Sequence, residues 1–174
     1  MTEFSRIEIY MLLNSVKPLW LSEIDLSEAD LRGANLVGAV LTNADLHKTQ
    51  MSGCNLSNAS MGGANLQDCK LIGADLRRVN LRGADLRRAD LREANLQEAD
   101  LTDANLSDTN LLDANLGAVD LTNANLTNAN LTGAAAADHL ILRAKSTFGT
   151  VMPDGTMIES PGPGDLSGGG GSNA

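Results

Sequence analysis

Aromatic side chains are nearly missing from this chain of 174 residues. They make up 2% of it, and Phe4, Tyr10, Trp20 and Phe148 all stand near the two ends. A core of ordinary thickness is therefore excluded across the middle, where nothing larger than Leu or Met is available to fill it. No Pro occurs between Leu21 and Gly133, so no turn in that stretch relies on a fixed proline φ. Two cysteines are too few for a disulfide framework or a Cys-rich metal site. No apolar run approaches the roughly 20 residues that a membrane span needs. The opening "MTEFSRIEIYMLLNSVKP" carries Glu3 and Glu8 and has no long apolar stretch, unlike a secretory signal. A cytoplasmic protein without a membrane segment is the expectation.

What fills the middle is Leu, Ala, Asp and Asn at a strict interval. Leu stands at 26, 31, 36, 41 and 46 and at every fifth residue to 131, with Met51 and Met61 in the two gaps. That makes 22 repeats between Ile24 and Gly133 without an insertion. Two residues before each centre the side chain is small or modest: mostly Ala, with Ile24, Thr49, Cys54, Cys69, Val79, Thr109 and Val119. A period of five fits neither a helix of 3.6 residues per turn nor a strand that alternates every two residues. A solenoid accommodates it. Each pentapeptide makes one side of a coil, points its Leu and Ala inward, and buries them against the coils above and below. Cys54 and Cys69 occupy the inward small place on different sides, so no disulfide is expected between them. The Asp or Asn before each Leu is short and polar and is expected to hydrogen-bond the backbone at the turn.

The pattern Ala-(Asp/Asn)-Leu-x-x resembles the pentapeptide-repeat family, many members of which are cyanobacterial. The resemblance implies an all-β solenoid: a right-handed quadrilateral β-helix with four pentapeptides per coil and short helical caps. On that geometry the repeats make about five and a half coils, a tower on the order of 26 Å tall. Side chains twenty residues apart would then stack. The second residue after each centre would read Glu28, Lys48, Asp68, Arg88, Asp108, Asn128 up one column, and Arg78 would lie below Glu98.

The ends differ from the middle. Residues 1–20 read as an N-terminal helical cap, with Phe4, Ile7, Tyr10, Met11 and Leu13 on one helix face. Residues 21–135 are the repeats, and 136–160 a C-terminal cap and hairpin. In that segment "GAAAADHLILRAKS" fits a short helix or a degenerate last coil, and Pro153-Asp154-Gly155 marks a turn between short strands. Residues 161–174 are Gly-rich, and a disordered tail is expected there.

The net charge is −9, with 16 acidic and 9 basic residues in 21–133. Six arginines, Arg77, Arg78, Arg82, Arg87, Arg88 and Arg92, crowd into four successive repeats. On a four-sided coil they form a belt rather than one patch. They are placed to hold Asp75, Asp85 and Asp90 within the coil and Glu93, Glu98, Asp103 and Asp108 above it. The belt is also the candidate interaction surface, suited to an acidic protein partner.

No catalytic, cofactor-binding or metal-binding set is expected. His47 and His139 stand without a nucleophile arrangement, and there is no Gly-rich phosphate loop or metal-spaced Cys/His set. The function expected is a non-catalytic, regulatory scaffold for protein–protein interaction, with a protein partner. The alternative is an acidic DNA mimic, which the resemblance to quinolone-resistance proteins of this family implies; those occupy the DNA site of gyrase. The absence of Phe at the central positions, the short "HLILRAKS" element and the arginines count against it, and a monomer is favoured over a dimer. Direct nucleic-acid binding is not expected, because the charge is negative and no aromatic interleaves the arginines.

Overall fold

Two of every five residues in the central repeats go into a turn, and this sets the whole architecture. A computed structural model describes residues 18–136 and 138–159. The expected N-terminal helix and disordered tail lie outside these residues, apart from positions 18–20.

In each pentapeptide the N–H of the small residue donates to the carbonyl of the preceding Leu, as Ala29 does to Leu26 at 3.1 Å and Ala84 to Leu81 at 3.0 Å. The second residue of that turn has left-handed backbone at every fifth position from Glu23 (φ 59°) to Gly133 (φ 69°), the feature that separates type II from type I turns. Three residues remain between turns. The middle one, the Asp or Asn, forms a parallel bridge to its counterpart exactly one coil away in sequence, so the β structure consists of single bridged residues rather than longer strands.

The bridges run Trp20 to Val40, Asp25 to Asp45, Asp30 to Gln50 and Asn35 to Asn55, and repeat at intervals of 20 residues as far as Asn115 and Ala135. Four pentapeptides therefore close one coil, and the wall has four flat faces. The first face is the column through Trp20, Val40, Ser60, Asn80, Asp100 and Asp120. The second rises through Asp25, Asp45, Asn65 and Asp85, the third through Asp30, Gln50, Lys70 and Asp90, and the fourth through Asn35, Asn55, Asp75 and Asn95.

The interior is a Leu column on each side with the small residues between. Leu86, Leu91, Leu96 and Leu101 have no solvent exposure, nor do Ala84 and Ala94. The inward polar residues extend this packing. Cys54 Sγ donates to the Leu31 carbonyl (2.7 Å), Cys69 Sγ to Leu46 (2.9 Å) and Thr109 Oγ1 to Leu86 (3.0 Å). Each thus satisfies itself on a turn carbonyl of the coil below. Burial pushes the Cys54 thiol up to about 11 and the Cys69 thiol up to about 12, so both are thiols at neutral pH. Both cysteines are free.

The columns continue past the regular repeats. Asn125 bridges Ser146 and Asn130 bridges Val151, each a step of 21 residues. The extra residue enters after a single turn of helix, α1 (Asp138–Ile141), whose Ile141 is fully buried. Lys145 donates to the Ala124 carbonyl while Ser146 accepts from Leu126, so two residues oppose one, as in a bulge. Thr150 takes an inward small place and donates to the Leu126 carbonyl at 2.7 Å. Val151 then pairs antiparallel with Met157 around Pro153-Asp154-Gly155.

Candidate functional site

The outward positions carry the chemistry, and the backbone fixes them first. The Asp or Asn before each Leu accepts a hydrogen bond from the N–H two residues on: Asn95 Oδ1 from Gln97 at 3.2 Å, Asp100 Oδ1 from Thr102 at 3.0 Å. The central Leu points inward, so the residues on either side of it both point out and lie side by side.

That neighbourhood explains the arginines. In Asp75-Leu76-Arg77 the guanidinium folds back onto the carboxylate, with Nε to Oδ1 at 2.8 Å and Nη2 to Oδ2 at 2.6 Å. Asp85-Leu86-Arg87 and Asp90-Leu91-Arg92 make the same fork, with Nη2 to Oδ2 at 2.7 Å in both. Asp30-Leu31-Arg32 repeats it far from the belt. Arg82 follows Asn80 instead and has no such carboxylate. It reaches up to Asp100 (3.5 Å) and Asp103 (3.8 Å) in the next coil.

The two corner arginines pair between coils. Arg88 grips Asp68 below it through Nε (2.8 Å) and Nη2 (2.7 Å), and Arg78 Nε meets Glu98 above it at 2.8 Å. Lys48 and Glu28 in the same column as Arg88 are 3.3 Å apart. Each of these pairs is separated by twenty residues, the stacking expected of a four-sided coil.

All six belt arginines are therefore engaged with a carboxylate. Of the acids expected to hold them, Asp75, Asp85, Asp90, Glu98 and Asp103 do so. Glu93 and Asp108 do not form close pairs with them; Asp108 accepts from Asn128 Nδ2 at 3.1 Å instead. Asp68, which the interval of twenty places below Arg88, takes up that arginine, and Asp100 joins the set without having been expected from the sequence. The pairing shows in the carboxyls. Hydrogen bonds from Arg77 and Arg92 hold Asp75 and Asp90 below the usual aspartate value of 3.8. At Asp85 burial pushes the other way, and the contacts from Arg87 outweigh it.

The surplus charge is unevenly placed. If each turn is counted with the face it follows, the second face carries Asp25, Glu28, Asp45, Asp68, Asp85 and Asp108 against Lys48, Arg87 and Arg88. The first carries Glu23, Asp100, Asp103 and Asp120 against Arg82. The fourth is balanced, with Asp75 and Glu98 against Arg77 and Arg78. Negative charge thus collects on two adjacent faces. Among the described residues no group of His, Cys, Asp or Glu is arranged to hold a metal ion, and no helix is long and apolar enough to cross a membrane.

A family model described as Pentapeptide repeats matches residues 21–58, 59–97 and 99–134 in eight copies. Among solved structures, the chain is 36% identical to HetL, a pentapeptide repeat protein involved in heterocyst differentiation regulation from the cyanobacterium Nostoc sp. strain PCC 7120. That match covers 82% of this chain and 74% of HetL, with a TM-score of 0.45. It is 37% identical to the pentapeptide repeat protein Rfr23 from the cyanobacterium Cyanothece 51142, over 49% of this chain and 58% of that one, with a TM-score of 0.49. The chain thus spans less than two-thirds of Rfr23. QnrB1, a plasmid-mediated fluoroquinolone resistance protein, is 21% identical over 66% of this chain and 58% of its own, with a TM-score of 0.41. No curated protein matches the chain.

Proposed function

Since this chain belongs to the pentapeptide-repeat family, whose fold is a right-handed β-helix, we propose that it is a non-catalytic scaffold for protein–protein interaction. The observation that carries this reading is the surplus of acidic side chains on two adjacent faces of a rigid wall. A flat partner can meet two adjacent faces of a four-sided rod, and a basic protein surface would be drawn to these two. The arginine belt suits docking less well. It runs round all four faces, so a flat partner would meet only about half of it. HetL supports a regulatory role by its description, and that role is proposed here by likeness only.

The test is affinity capture from the native host with three baits: the parent, Arg82→Glu with Arg87→Glu, and Asp103→Lys with Asp108→Lys. The expected result is a specific partner that survives the arginine reversal and is lost with the aspartate reversal. Loss with the arginine pair alone would return docking to the belt. Absence of any specific partner with the parent would remove the scaffold reading.

The same acidic faces favour a second reading, a DNA mimic that binds a DNA-handling protein such as gyrase. Competition with duplex DNA for purified gyrase separates it from the first. A mimic displaces DNA at low salt and loses that ability in the Asp103→Lys, Asp108→Lys protein.

A further inference from the structure

Arg77 and Arg78 differ from the other belt arginines in what lies between them. They stand on adjacent turn positions of the fourth face and form the sides of a groove of 270 Å³, lined also by Ser57, Asn58, Gln97 and Glu98. Asn58 lies one coil below Arg78, and Gln97 one coil above Arg77. We propose that this groove is a binding site for a phosphate-class oxyanion.

The donors are already positioned. Asp75 takes Nε and Nη2 of Arg77, and Glu98 takes Nε of Arg78. Arg77 Nη1 and both terminal nitrogens of Arg78 keep their N–H groups uncommitted among the described residues. The guanidiniums are thus held by one edge and open along another, which lowers the ordering cost of gripping an anion. The side-chain amides of Asn58 and Gln97 hold no hydrogen bond to another described residue and add donors from below and above. Ser57 is buried on the floor, with its hydroxyl on Asn55 Oδ1 at 2.8 Å.

The residues that carry these donors stand at three heights across two coil spacings, about 10 Å, and their side chains line one groove. A planar carboxylate has two oxygens in one plane and is satisfied by a single guanidinium fork. A tetrahedral oxyanion offers four oxygens in different directions and suits this set better. The lining carries two arginines against the one carboxylate of Glu98. The corresponding corner of the second face sets Arg87 and Arg88 against both Asp68 and Asp108, and no comparable surplus arises. The fourth face as a whole is balanced while the first and second are acidic, so an anion meets the least repulsion here.

This site stands independently of the scaffold reading. It is tested by titrating inorganic phosphate, and in a second arm O-phosphoserine, into the isotopically labelled full chain followed by NMR. Sodium chloride at matched ionic strength is the control. The expected result is saturable shifts centred on Asn58, Arg77, Arg78 and Gln97, weakened at least tenfold by Arg77→Gln with Arg78→Gln and unchanged by Arg87→Gln with Arg88→Gln. Gln97→Glu, which leaves both ion pairs in place, should also weaken binding severalfold. Tighter binding of O-phosphoserine identifies a phosphate ester as the source, and tighter binding of inorganic phosphate a free anion. Shifts that chloride reproduces, or that persist in both the Arg77→Gln, Arg78→Gln and the Gln97→Glu proteins, would overturn the proposal.

Discussion

At the scale of single residues, the turn position with positive φ governs most. Gly takes this backbone without penalty, whereas an L side chain costs about 1–2 kcal/mol, less for Asn and Asp. The chain nonetheless places Glu, Lys, Arg and Ala there. The sequence carries a signal for this that periodicity alone does not use. No β-branched residue stands at any fifth position from Glu23 to Gly133, although Thr, Val and Ile all occur one residue earlier. Branching at Cβ is what left-handed backbone tolerates least. Ala118, at φ 56°, has no polar side chain with which to offset the strain. Ala118→Gly should therefore raise the melting temperature. Gly83 has φ 63°, and a Cβ there would meet nothing within 4 Å. Gly83→Ala should lower stability by about 1 kcal/mol through backbone strain alone. Calorimetric melts read both, and shifts in the opposite directions would contradict this account of the turn.

At the scale of the repeat, the inward residues were legible because Leu or Met alternates with a small or modest side chain at an unbroken interval of five, and volume leaves them no other place. The outward pairs were legible only in part. The tripeptide Asp-Leu-Arg forks wherever it occurs, at Asp30, Asp75, Asp85 and Asp90, because an inward Leu sets its two neighbours side by side. Asn80-Leu81-Arg82 lacks the carboxylate, and which acid Arg82 then reaches depends on side-chain length and on the coil above. The paired aspartates give the repeat a pH dependence with a definite sign. Their folded values lie below the ordinary 3.8. The stability they contribute is fully present above that value and is lost as pH falls through the lower folded values. The melting temperature should hold from neutral pH to about 5 and fall below about 4. Because these pairs are partly solvated, the effect is modest. Arg77→Gln with Arg92→Gln should show a smaller acid-induced fall than the parent. Equal falls in the two proteins would mean that the forks contribute nothing to folding.

At the scale of the whole molecule, the interval of twenty decides which residues are neighbours. The sequence shows a period of five, and the number of sides came from resemblance. Alternating charge at Glu28, Lys48, Asp68 and Arg88 is the feature that makes twenty readable, since it has no purpose at a spacing of five. At the upper end the register was not legible. Thr147, Thr150 and Met152 follow no Ala-x-Leu pattern, and the extra residue after α1 shifts the register by one. At the end of a stack the core places are filled by whatever volume closes them, so composition there is free to drift. The register on which every pair, face and groove depends can be measured directly by cross-linking. Residues bridged between coils lie about 4.8 Å apart, within the span of a disulfide. The native Cys54 and Cys69 are buried thiols with raised pKa values and do not compete. Under mild oxidation, Asn95→Cys with Asn115→Cys should close a disulfide detected by mass spectrometry, and Asn95→Cys with Asn110→Cys should remain open. Closure of the second pair and not the first would contradict the twenty-residue coil.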